Sequence, residues 1–341
     1  MEEDEKYMWR CIQLAKNGLC TASPNPMVGA VIVCDGKIIG EGYHIRSGKA
    51  HAEVNAVGSV KNQSLLRRST IYVSLEPCSH YGKTPPCADM LIAKGIPRVV
   101  IGCEDPFVKV HGRGIQKLLD AGCEVKTGVL EKECRQLIRK FVTLNTLGRP
   151  YVTLKWAESA DGFIGNNVSR TILSSSLSTL LVQKRRAEND AIMVGTETAR
   201  IDDPRLTLHN WYGKNPIRVV LDRRLSLPRS IHLFDGYART LVFTTLYHSD
   251  SSNVEYIVLP EEDYCLSRFL KELAQRDIQS LLVEGGARLH QSFIDEEFWD
   301  EAYVEKSVKV LGGGVHAAQL KNIRGLTNQR ALGVDIFKYI H

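Results

Sequence analysis

Pro77-Cys78-Ser79-His80-Tyr81-Gly82-Lys83-Thr84-Pro85-Pro86-Cys87, downstream of His51-Ala52-Glu53, decides the reading of this chain. The two stretches offer an imidazole, two thiols and a carboxylate that can sit beside a metal without binding it. Catalytic zinc takes three protein ligands and keeps a position for water, which fits His51, Cys78 and Cys87 with Glu53 left over. Thr70 to Leu75 reads as a strand, so Cys78 falls on a strand-to-helix loop, and Cys87 opens the next helix. Free N–H groups and the helix dipole favour a thiolate at such a start. His51 and Glu53 stand two apart on a short helix over 51–57 and do not share a face. One can point to the metal while the other reaches the substrate.

A His/Cys/Cys site with a nearby Glu is the signature of zinc deaminases, H-x-E…P-C-x-x-C. Here the His-x-Glu half is intact, but eight residues separate the cysteines instead of two. In such a site zinc lowers the pKa of its water. Glu53 would take that proton and deliver it to a ring nitrogen and then to the leaving amine, giving a carbonyl and ammonia. A structural zinc would close instead with a fourth ligand, for which His80 and His44 are candidates. Glu53 has no purpose in a closed site.

At 341 residues the length suggests about two domains, and 43% hydrophobic with 24% charged residues is ordinary globular composition. Nine cysteines scattered over the chain do not form a secreted disulfide framework. The acidic start Met1-Glu2-Glu3-Asp4-Glu5-Lys6 is no signal peptide. No stretch approaches the ~18 apolar residues of a membrane span. The expectation is a cytoplasmic enzyme without a membrane partner. A net charge of +5 without a long basic block suits an anionic small molecule better than nucleic acid. A homo-oligomer is compatible with it.

The pattern of elements is α/β. A helix over about 4–18 precedes a hairpin, Val28 to Cys34 and Ile38 to Tyr43, around the turn pair Asp35-Gly36. Alternating strands and helices then run to a helix over 130–144, which argues for a largely parallel sheet. Leu147-Gly148-Arg149-Pro150 ends that helix and sets a boundary between residues 1–147 and 148–341. In the second half, strands are expected at 151–156, 191–194, 217–221, 240–244, 256–259 and 280–283. Helices are expected at 175–187, 266–276 and 287–294.

With Asn25-Pro26-Met27-Val28-Gly29, His51-Ala52-Glu53 and the run from Pro77 to Cys87, the chain resembles the bifunctional riboflavin-biosynthesis deaminase/reductase family. The likeness continues through Lys155, Ser159-x-Asp161-Gly162, Arg186-Ala187, Asp202-Asp203-Pro204-x-Leu206-Thr207 and Val283-Glu284-Gly285-Gly286. It implies a cytidine-deaminase-like zinc domain followed by a dihydrofolate-reductase-like α/β domain. It also implies two consecutive reactions on a small phosphorylated pyrimidine. The first is hydrolytic deamination of 2,5-diamino-6-ribosylamino-4(3H)-pyrimidinone 5′-phosphate. The second is NADPH-dependent reduction of the ribosyl group to ribityl.

By the same resemblance Asn25, His44, His80 and Lys83 line the first pocket. In the second, Arg186, Leu206 and Glu284 meet the substrate, and Lys155, Ala157, Thr198, Asp202 and Gly286 meet NADPH. The residues themselves give reasons: a guanidinium suits a phosphate, and a Gly-Gly turn opening a helix lets backbone approach one. Each also has a plainer reading, as turn, cap or solvated charge. Arg223, after the strand ending near Asp222, is read here as a contact to the 2′-phosphate of NADPH. Two departures stand out: His209 replaces the family's Arg, and a segment that often includes Trp reads Ser169 to Leu173. They motivate a competing reading in which the second half is a binding domain without reductase activity. A nucleic-acid base deaminase is the third reading, disfavoured by the absence of a basic stripe.

Overall fold

Gly148 divides the molecule. It closes a helix in the left-handed conformation (φ 65°), its N–H bonding Leu144 O at 3.1 Å, and Pro150 then keeps the chain extended. Two units result, Met1–Gly148 and Arg149–His341. The computed structural model describes residues 2–79, 85–106, 112–166, 168–169, 171–331 and 334–341. His80 and Lys83 lie outside these.

The first unit runs α1 (Glu3–Ala15), β1 (Gly29–Cys34), β2 (Lys37–Tyr43), α2 (Ala52–Ser59), β3 (Thr70–Leu75), α3 (Cys87–Ala93), β4 (Arg98–Cys103), α4 (Arg113–Asp120), β5 (Glu124–Lys126), α5 (Glu131–Leu137) and α6 (Arg139–Leu147). Its sheet has the order β2-β1-β3-β4-β5. β1 pairs antiparallel with β2 and β3, and β3, β4 and β5 are parallel. Apolar clusters cover both faces, which is why β1, β3 and β4 read as continuous apolar runs. Asp35 and Gly36, both at positive φ (51° and 70°), make the expected hairpin turn. The helix expected over 130–144 is instead two, because Ile138 (φ −100°, ψ 11°) leaves helical geometry while buried in the core.

The second unit contains β6 (Tyr151–Glu158), β7 (Phe163–Gly165), α7 (Ser176–Ala187), β8 (Ala191–Gly195), α8 (Thr196–Asp202), β9 (Ile217–Leu221), β10 (Thr240–Thr244) and β11 (Val254–Val258). It continues with α9 (Leu266–Ala274), β12 (Ser280–Gly285), α10 (Ala287–Asp295), β13 (Glu301–Lys306), β14 (Val315–His316), β15 (Gly325–Ala331) and β16 (Val334–Ile340). The main sheet has the order β11-β10-β9-β8-β12-β6-β13-β16-β15. It is parallel as far as β13, and β16 and β15 add antiparallel strands. The sequence pattern missed those last strands. The charges of β13 hide its alternation, although its Glu301 and Glu305 are buried. α8 was also missed, so Asp202 ends a helix where a turn was expected. No described helix is long and apolar enough to cross a membrane.

Candidate active sites

His51 is the residue before α2. The helix approaches β2 so closely that a Cβ on Gly42 would lie 2.4 Å from Ala56 N. That contact fixes the entry of α2 against the sheet, placing His51 and Glu53 at its start. On the other side, Glu76 holds the approach to Cys78. Its buried carboxylate accepts the N–H groups of Asp105, Gly112 and Gly114 at 2.9–3.1 Å.

The expected ligand atoms converge. His51 Nδ1 is 3.6 Å from Cys78 Sγ and 3.3 Å from Cys87 Sγ, and all three atoms lie within 4.8 Å of one another. A tetrahedral zinc with ordinary Zn–N and Zn–S bonds would set nitrogen and sulfur about 3.5 Å apart. The donor set fits the metal. The Cys87 N–H, unpaired within its helix, donates to Cys78 Sγ at 3.3 Å. Cys78 is therefore the sulfur pushed toward thiolate, by the Cys87 thiol first and His51 next. Cys87 faces that sulfur, and as zinc ligands both sulfurs would be thiolates.

Glu53 is 3% exposed. Burial first, and the Cys78 sulfur second, push its carboxyl up to about 7. His44 and Asn25 form a connected pair at this site. His44 Nδ1 sits 3.1 Å from Ala50 O, which can only accept, so Nδ1 carries the proton. Nε2 is then the acceptor for Asn25 Nδ2 at 3.0 Å. Burial lowers the His44 pKa, keeping the ring neutral. Its edge meets the His51 ring at 5.6 Å.

In the second unit a cavity of about 650 Å³ opens at the ends of β6 and β12. Lys155, Ala157, Arg186 and Thr198 line it, as do Asp202, Leu206, Glu284 and Gly286. His209 lies there too. Arg223 is not among the lining residues. Its guanidinium is paired with Glu261 and sits 5.3 Å over the Tyr264 ring.

Within the cavity several expected ligand groups satisfy each other. Arg186 Nε and Nη2 donate to the two carboxylate oxygens of Glu284 at 2.9 and 2.7 Å. Its Nη1 reaches Thr207 O at 3.2 Å. Gly286 N donates to Thr198 Oγ1 at 3.0 Å, so that amide already has an acceptor. Lys155 sits between strands, its pKa lowered by burial and raised back by Glu284 and Glu305. Asp203 accepts His232 N at 2.7 Å and closes the turn beside Asp202. Sequence reasoning missed Ser174 and His290, which also line the cavity, and Glu305 beneath it.

Residues 150–336 match the family model described as the RibD C-terminal domain. Residues 1–103 match the cytidine and deoxycytidylate deaminase zinc-binding region. The riboflavin biosynthesis protein RibD of Aquifex aeolicus is 39% identical over 325 residues, covering 94% of this chain and 91% of its own. Its Escherichia coli counterpart is 35% identical over 336 residues, covering 91% and 89%. Among solved structures, the chain is similar to a diaminohydroxyphosphoribosylaminopyrimidine deaminase/5-amino-6-(5-phosphoribosylamino)uracil reductase from Thermotoga maritima. That likeness has a TM-score of 0.90 at 36% identity and covers 99% of this chain and 98% of the other. RibD of Acinetobacter baumannii gives 0.89 at 33% identity, with the same coverage.

Proposed function

This chain belongs to the RibD family of riboflavin-biosynthesis proteins, and from that premise we propose that it carries out both reactions of the family on one phosphorylated pyrimidine. The first unit deaminates the ring, and the second reduces the ribosyl group to ribityl. The observation that carries this reading is the convergence of His51, Cys78 and Cys87 beside a buried Glu53 that none of them requires as a ligand.

Zinc held by His51 Nδ1, Cys78 Sγ and Cys87 Sγ would supply an acidified water. Glu53 then moves two protons in turn: the first from water to the ring nitrogen, the second from the hydroxyl left on the carbon to the amino group, which departs as ammonia while the carbonyl forms. His44 holds the Asn25 amide with its Nδ2 inward, which leaves Asn25 Oδ1 to accept from the pyrimidine. In the second unit NADPH would supply the hydride to the sugar carbon C1. Lys155, Asp202 and the Arg186–Glu284 pair bound that cavity and orient the ribosyl phosphate. The ligand is a small molecule; nothing in this reading involves nucleic acid or a membrane surface.

A coupled assay tests it: ammonia release is followed first, then NADPH absorbance, with the diaminopyrimidine substrate. Glu53→Gln should keep stoichiometric zinc by metal analysis and lose deamination by about 10²–10⁴-fold or more. Reduction of substrate that has already been deaminated should persist. Normal deamination by Glu53→Gln would sink the mechanism. Full-length protein that binds no NADPH would favour a second unit that only binds.

A further inference from the structure

The floor of the second cavity holds a charge arrangement that the two reactions as described do not use. Lys155 lies in β6, between β12 and β13. Register pairs Lys155 with Tyr303 and Ala157 with Glu305. Paired residues of neighbouring strands share a face, and residues two apart on a strand share it as well. Lys155 and Glu305 therefore stand on the cavity face of adjacent strands, one diagonal step apart. On the opposite flank stands Glu284, but both of its oxygens are taken by Arg186.

Glu305 is 3% exposed. One oxygen accepts Ser174 Oγ at 2.9 Å, and the other, buried, has no hydrogen-bond partner among the described residues. The Lys155 ammonium likewise makes no hydrogen bond or close ion pair to a described residue. A carboxylate or an ammonium buried alone is expensive, and each is relieved by the other. Ser174 stands two residues before α7, the helix that brings Gln183 and Arg186 to the same cavity.

Resting on the two-reaction reading, we propose that Glu305 is a positioning residue of the reductase cavity: the counter-ion that keeps Lys155 charged, and the anchor that holds Ser174 at the approach to α7. The charged or titratable groups nearest Lys155 include Glu284 on β12, Tyr303 on β13, Arg185 and Arg186 on α7 and His290 on α10, and Asp202, Asp203, Arg205, His209 and His232 line the same cavity. The two arginines oppose its charge; Glu284 favours it most but has both oxygens on Arg186, which leaves Glu305 as the carboxylate with an oxygen still unpaired among the described residues. A charged Lys155 can then bind an anionic oxygen of the ligand or donate a proton at the opened sugar.

The test uses full-length protein and two readouts. The Lys155 ammonium is titrated by ¹⁵N NMR without ligand, assigned with Lys155→Met, and reductase kcat and KM are measured across pH on pre-deaminated substrate. Glu305→Gln should lower the Lys155 titration by about one pH unit or more, because a nearby opposite charge is worth that much. The alkaline limb of kcat should move to lower pH by the same amount, and Glu305→Asp should restore part of it. Should the Gln variant fail to fold, Glu305→Met removes the same charge with an apolar side chain. An unchanged titration in a folded Glu305 variant overturns the proposal. Absence of any NADPH-dependent reduction in wild type would overturn the two-reaction reading instead, while the ligand-free titration would still decide the role of Glu305.

Discussion

Arg186 and Glu284 bind each other through two parallel hydrogen bonds at the floor of the second cavity, with side chains only 13% and 9% exposed. From sequence each residue reads as a ligand contact, a phosphate-binding guanidinium and a sugar-binding carboxylate. Paired, they form one element of the wall, and either would have to be released or shared to meet the ligand. Arg186→Ala should therefore not behave as a simple loss of phosphate affinity. It strands a buried carboxylate, a change typically costing about 3–5 kcal/mol. Denaturant unfolding should show that loss in the variant. The double variant Arg186→Met/Glu284→Gln should recover much of the stability without recovering reduction. A single variant as stable as wild type with a raised KM alone would return Arg186 to the role of a phosphate ligand.

What was legible from sequence follows the range of the interactions involved. The zinc ligands sit at the start of α2, in the loop after the apolar β3 and at the start of α3, so residue type and spacing picked them out without knowledge of the tertiary fold. The wall of the second cavity was legible only as a set of residues. Their partnerships span 98 residues for Arg186–Glu284, 88 for Gly286–Thr198 and 29 for His232–Asp203. No local spacing encodes such pairs. Arg223 looked free for a phosphate because its partner Glu261 lies 38 residues further on. Glu305 escaped notice because a charged residue in a run such as Glu301 to Lys306 suggests a solvent face, whereas Glu301 and Glu305 are both buried.

The Asn25–His44 contact makes a different prediction for the first site. His44 holds one face of the Asn25 amide and is itself fixed by Ala50 O. Replacing His44 with Ala removes the acceptor that orients the amide and leaves the three metal-ligand residues in place. Zinc content should stay stoichiometric, and the KM for deamination should rise by about tenfold, the equivalent of one lost hydrogen bond of about 1.4 kcal/mol. His44→Gln, whose side-chain oxygen can still accept from Asn25 Nδ2, should recover part of the loss. Loss of zinc in His44→Ala would instead show that the ring supports His51, which it meets edge-on.

His290 gives the fold a pH dependence of known sign. It is 1% exposed beneath the second cavity. Burial pushes its pKa down to about 4, against a partial rise from its hydrogen bond to Val283 O. That bond, at 3.0 Å, uses Nε2 as donor, and the buried Nδ1 has no partner among the described residues. The unfolded chain takes up a proton near the ordinary histidine value of about 6.5, and the folded one only near 4. Between those values the unfolded state binds more protons, so stability falls as pH drops. Above about 6.5 both states are neutral and the residue contributes no slope. Unfolding free energies measured from pH 7 to 4 should fall more steeply in wild type than in His290→Asn, which cannot take up that proton. Parallel curves for the two proteins through this window would show that His290 titrates alike in the folded and unfolded chains, and the burial-lowered pKa assigned here would be wrong.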